Sequence, residues 1–206
     1  MLQNRVDPWG KLCAVSERGT LMGNRGVLHN ADQKVVKQWA HERWLTCLLQ
    51  FEGIRRAKPF STLNNYSELF FLDEATAFSA GHRPCHFCQR KRSAAFKAAW
   101  TAANVPAETF VPMPTIDAAL HEERAHQNGT KVSFNAPVRE LPIGSMFAVD
   151  GAAFLVADRG HLQWSFKGYG APTVFAPELI AEVLTPRSIV NAFRHGFTPL
   201  VHASVE

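Results

Sequence analysis

The sequence predicts an α+β protein: a mainly antiparallel β body with an embedded zinc knuckle and three to four short helices. Three observations carry this. Strand-length apolar runs bounded by turn residues recur at both ends of the chain. Helical spacing of apolar residues is concentrated in the middle. A Cys-x-x-Cys pair, Cys85 and Cys88, sits between two of the helical segments.

Residues 8–60 read as β-rich. Val27-Leu28-His29 and Val35-Val36 flank Asn30-Ala31-Asp32-Gln33, a hairpin-type connection. Trp44 to Phe51 is the strongest strand here, with Leu45, Cys47, Leu49 and Phe51 on one face. Glu52-Gly53 makes a turn, and Ile54 to Phe60 is expected to return antiparallel. Leu21-Met22-Gly23-Asn24-Arg25-Gly26 reads as a Gly-rich loop.

Leu69 to Leu72 is a short apolar strand. Asp73 stands at an N-cap position, and Glu74 to Ala80 form a short helix that Gly81 stops. A second helix is expected from about Cys85 to Ala103, with Phe96, Ala99, Trp100 and Ala103 on its apolar stripe. Pro106, Pro112 and Pro114 mark a connector, followed by a helix over Ile116 to His126. Ser145 to Val149 and Ala152 to Val156 flank Asp150-Gly151, a favoured hairpin turn. Leu162 to Phe166 and Leu179 to Leu184 are further strands, and Gly168-Tyr169-Gly170 reads as a second Gly-rich loop. Thr185, as N-cap, with Pro186 starts a last helix that runs to Gly196. The expected division is a β-rich region over 1–104, carrying the Cys pair and a basic helix, and an α+β region over 105–206 packing on it. A single domain is the alternative.

Composition narrows the class. The 206 residues are 46% apolar and 19% charged, enough for a proper core and unlike a disordered chain. No apolar run reaches the ~20 residues of a membrane span. The first residues lack an apolar signal core. Cys13, Cys47, Cys85 and Cys88 are too few for a disulfide framework at this length, so a cytoplasmic protein with reduced thiols is expected. The charge is uneven. Residues 1–100 carry +7 and the remainder −3, within a total of +4. That asymmetry favours a polyanionic partner.

Two cysteines separated by two residues can reach one tetrahedral metal at about 2.3 Å from each sulfur. A redox dithiol would need a thioredoxin-like βαβ setting, which the flanking segments do not supply. Two unconnected thiols are the remaining alternative. Phe70-Phe71, Asp73 to Ala77, Ala80-Gly81-His82-Arg83-Pro84-Cys85-His86-Phe87-Cys88 and Arg90 together resemble the second half of the zinc-binding domain at the N-terminus of Ada-type DNA alkylation-repair proteins. The resemblance covers about residues 68–90 and implies that Cys85 and Cys88 ligate zinc. Arg55 to Leu69 contains neither Cys nor His. The family's first cysteine pair, which holds its methyl-accepting thiolate, therefore has no counterpart, and methyl transfer is not carried over.

A zinc ion needs two more ligands. The candidates are Cys47, Cys13, His29, His41, His82 and His86; Cys47 and then His29 are favoured, because both lie on expected strands of the preceding β region. A free Cys on an apolar strand face is also a common core residue. Arg83, Arg90, Lys91, Arg92 and Lys97 put five cations and no acid into residues 82–100, a candidate strip for phosphates. A solvated helix face is the plainer reading. His-x-Glu is missing upstream of Pro84, as a zinc deaminase would require. His121 and His126 are five apart and leave a common helix face.

The expected function is that of a zinc-binding, nucleic-acid-associated protein, in DNA modification or repair. One alternative is a small hydrolase with a structural zinc and a pocket near Arg25, His29 and Glu68. Another is a protein-interaction domain without chemistry.

Overall fold

Short apolar runs separated by glycine and proline pair into two sheets. The computed structural model describes residues 1–53 and 60–206; the return strand expected from Ile54 falls on 54–59, outside the described residues. The first sheet is built from β1 (Arg5–Val6), β2 (Leu12–Cys13), β3 (Leu21–Asn24), β4 (Leu45–Leu48), β5 (Leu69–Phe71) and β6 (Arg83–Pro84). Their order is β2-β1-β5-β3-β4-β6. Pairing is antiparallel except for β1 with β5 and β4 with β6.

Three helices punctuate and follow this sheet: α1 (Glu74–Ser79), α2 (Arg90–Asn104) and α3 (Met113–Arg124). The second sheet comprises β7 (Phe134–Pro137), β8 (Met146–Val149), β9 (Ala152–Ala157), β10 (Gly160–Ser165), β11 (Gly168–Thr173) and β12 (Ile180–Val183), followed by α4 (Arg187–Arg194). It is antiparallel throughout, in the order β11-β10-β9-β8-β12-β7. The molecule is therefore α+β with two mostly antiparallel sheets, as its apolar pattern predicts.

The short helix α1 ties the parts together. All six of its residues are buried. Ala75 packs with Met146, Leu155 and Leu184 of the second half. Ala77 packs with Val6, Leu21 and Phe71 of the first sheet. Phe78 packs with Phe96, Ile116 and Phe193. Steps of 100° per residue send neighbouring side chains into three different cores. Asp73 caps the helix: its carboxylate accepts from the Thr76 amide at 2.8 Å.

Several expectations needed correction. The segments Leu21–Asn24 and Gly168–Thr173 are strands, not Gly-rich loops. Gly23 is glycine because β3 crosses Phe71 closely; a Cβ there would lie 2.4 Å from the ring. Helix α2 begins at Arg90, five residues later than the pattern suggested, because Cys85 to Gln89 form a turn. Helix α3 begins at Met113, with Pro112 at its cap and Pro114 in its first turn. Thr185 does not cap α4, since its hydroxyl accepts from the Met146 amide at 2.8 Å and Pro186 takes the cap position.

Candidate metal centre

Strand β4 carries Cys47, and Cys85 follows directly on β6, the neighbour that runs parallel to it. Their register, Leu45 opposite Arg83 and Thr46 opposite Pro84, brings both cysteines to the same end of the pair. The Cys85 amide donates to the Thr46 carbonyl at 2.9 Å. The chain then turns. Gln89 donates its amide to the Cys85 carbonyl at 3.0 Å, and its side-chain nitrogen reaches the Thr46 carbonyl at 2.8 Å. This turn returns Cys88 towards Cys47. The three Sγ atoms all lie within 4.8 Å of one another. Sulfurs around a tetrahedral zinc sit roughly 3.8 Å apart, so the cluster is at metal-binding reach.

The surroundings favour a thiolate at Cys85 and oppose one at Cys47 and Cys88. A hydrogen bond from Cys47 holds the Cys85 thiol well below its usual range; burial opposes this, and the amides of Cys88 and Phe87 reinforce it. The same bond, together with burial, pushes the Cys47 thiol up. Burial also raises Cys88, against the Leu48 amide that donates to it. Backbone N–H groups directed at cysteine sulfurs are the outer support that ligating thiolates use.

Among the described residues these three cysteines form a group able to hold a metal ion, and His29 is not part of it. Its ring nitrogens are engaged elsewhere, with the Ser67 hydroxyl at 2.5 Å and the Thr62 carbonyl at 3.1 Å. His29 is bridged to Val35 and its ring is held by partners 33 and 38 residues away, so it stays apart from the cysteines. Cys13 lies on β2, at the opposite edge of the sheet from β4 and β6. His82 is fully buried, accepts from the Arg25 guanidinium at 3.2 Å and packs on Trp44 and Phe71. Burial, with Arg25 and Arg124 beside it, keeps that ring neutral, its pKa well below the ordinary value. His86 projects from the turn and is exposed.

The five cations divide. Arg83 is buried and held by Asp117 through two contacts of 2.6 Å, so it faces no phosphate. Arg92 is paired with Glu74, lies over the Phe197 ring at 4.3 Å and donates to the Thr198 carbonyl. Lys97 sits 5.2 Å from the Phe110 ring centroid. Arg90 and Lys91 are exposed and make no ion pair among the described residues. They line a cleft of about 1100 Å³, together with Arg43, Glu52, Phe51, Phe87, Cys85 and Cys88. Phe87 is 69% exposed and packs edge-on to Phe51 at 5.4 Å between centroids. Sequence reasoning missed Arg43, Phe51 and Phe87; the aromatic between the two cysteines was the available signal for Phe87.

The alternative pocket residues are each committed to different partners. Arg25 donates to the Gly10 carbonyl and to His82, and Glu68 accepts from the Ser61 amide at 2.7 Å. Neither they nor His29 line the cleft beside the cysteines. No helix among the described residues is long and apolar enough to cross a membrane. Comparison with protein families, with curated proteins and with solved structures finds no match to this chain.

Proposed function

We propose that this chain binds zinc through Cys47, Cys85 and Cys88 and associates with nucleic acid through the cleft beside them. One observation carries the reading: of three sulfurs gathered within 4.8 Å, those of Cys85 and Cys88 line a cleft that Arg43, Arg90 and Lys91 also line, with Glu52 as its one acid outside the Arg83–Asp117 pair. Three sulfur donors suit zinc over magnesium or calcium, which take oxygen. Free cations beside an exposed aromatic suit phosphates and unstacked bases. The local resemblance of residues 68–90 to the Ada-type zinc domain points the same way.

The test joins metal content with salt-dependent binding. Purified protein should carry about one zinc per chain. Cys47→Ser and Cys85→Ser should each lose it and lower the melting temperature, because metal binding is coupled to folding. His29→Ala should keep it. Log affinity for a DNA or RNA oligonucleotide should fall linearly with log salt. Changing Arg90 and Lys91 together to Gln should flatten that slope by about 1.5 to 2 units. Metal-free protein of undiminished thermal stability would sink the zinc reading. Failure to bind either nucleic acid at low salt, where the electrostatic term is largest, would sink the partner.

A further inference from the structure

The cysteines provide three ligands, and tetrahedral zinc takes four. The fourth is constrained by elimination. Residues 54–59 read Ile-Arg-Arg-Ala-Lys-Pro and contain no Cys, His, Asp or Glu. Among the described residues no fourth such donor joins the three sulfurs. Cys13 is across the sheet, and His29 and His82 are held by other partners. Asp117 lines the cleft, but both its oxygens are taken by Arg83 at 2.6 Å. His41 does not line the cleft, which leaves His86 and Glu52, both exposed at it.

We infer that the fourth ligand of the bound metal comes from outside the chain, as water or an anion drawn from the cleft, so that the centre exchanges ligands. This rests on the zinc reading above. Two of the three sulfurs, those of Cys85 and Cys88, line the cleft wall. Structural zinc sites are closed by four protein ligands, whereas sites with three keep a position for water or substrate. Zinc with three thiolates carries a net charge of −1 by formal count, which by itself disfavours an anion. Arg43, Arg90 and Lys91 around the cleft offset that charge, and only Glu52 adds to it. The ligand class that fits is a small anion, a phosphate oxygen included. His86 is exposed on the turn and lines the same cleft, outside the group of three sulfurs.

The experiment uses full-length protein loaded with cobalt(II), whose visible bands report coordination, and azide as the anionic probe. Azide should shift the bands saturably, and Arg90→Gln with Lys91→Gln should weaken its binding roughly threefold. X-ray absorption of the zinc protein should show three sulfurs and one lighter neighbour, unchanged in His86→Ala and in Glu52→Gln. Loss of the lighter neighbour in either variant makes that residue the ligand and overturns the inference. Four sulfurs, or bands indifferent to azide, overturn it too. In each of those cases the metal is still bound and the zinc reading stands. If no thiolate-to-cobalt charge-transfer band forms at all, the zinc reading itself fails and takes this inference with it.

Discussion

Arg83 stands two residues before Cys85, yet its guanidinium belongs to Asp117. Both side chains are under a tenth exposed. Removing one member of a buried pair leaves the other charge without compensation, at a cost of about 3 kcal/mol. Arg83→Gln should therefore destabilise the fold by about that amount in urea unfolding. Adding Asp117→Asn should restore part of the loss, because the orphaned charge is gone. A merely additive double variant would show that the pair is not coupled. Counting charges along the sequence placed Arg83 with Arg90 and Lys91 as phosphate contacts. A count cannot separate a paired cation from a free one when the partner lies 34 residues away. The three cysteines show the opposite case. A pair of cysteines with two residues between them is legible in sequence, and Cys47 was legible as a candidate third donor on a strand. That His29 stands apart from the three cysteines was not legible, because it depends on Ser67 and Thr62 meeting its ring.

Among the elements, α1 carries the most for its length. Its cap residue Asp73 is nearly fully buried and accepts from the Thr76 amide and hydroxyl, the Tyr169 hydroxyl and the His202 amide. Asp73 thus joins α1 to β11 and to the C-terminal segment. Asp73→Ala removes the cap, worth about 1 kcal/mol. It also leaves the buried Tyr169 hydroxyl without its acceptor, worth about 1 to 3 more. Thermal unfolding should show a loss of about 3 kcal/mol, with Asp73→Asn losing less. A loss no larger than an exposed cap gives would mean that the Tyr169 and His202 bonds contribute nothing. The cap and the Gly81 stop were readable from sequence. At Gly81 φ is +80°, and a Cβ would meet the Arg124 side chain at 2.5 Å, so the stop is also a close crossing. The start of α2 was not readable. Helical spacing extends back to Cys85, but the sulfurs take the local amides and the chain turns before it winds.

Across the whole molecule, the buried Arg25 and Arg124 and the half-buried Lys131 cluster between the first sheet and α3. Arg25 and Arg124 lie over the Trp44 ring at 3.9 and 4.2 Å, and Lys131 donates to the Ser79 carbonyl. Burial, with Arg25 and Arg124 nearby and only weak help from Asp7 and Glu182, lowers the Lys131 pKa from 10.5 to about 7. Between those two values the unfolded chain binds a proton that the folded chain lacks. Unfolding free energy should therefore rise with pH from about 7, by at most about 1.4 kcal/mol per unit from this group. Lys131→Met should flatten the rise, read by urea unfolding of metal-loaded protein between about pH 7 and pH 8.5. An unchanged slope would show that Lys131 titrates normally. The α+β class, the hairpin at Asp150-Gly151, the N-cap at Asp73 and the Cys85/Cys88 pair were all determined by the sequence alone, because each follows from neighbours within a few residues. Tertiary structure decided the rest. It brought Cys47, and not His29, beside Cys85 and Cys88, withdrew Arg83 from solvent, turned two glycine-rich stretches into strands and set the exposed Arg43, Arg90 and Lys91 around one cleft. Apart from the strand Gly168–Thr173, which pairs with its neighbour β10, those outcomes depend on parallel register between β4 and β6 and on partners tens of residues apart, and periodicity along a chain carries no record of which distant segments will meet.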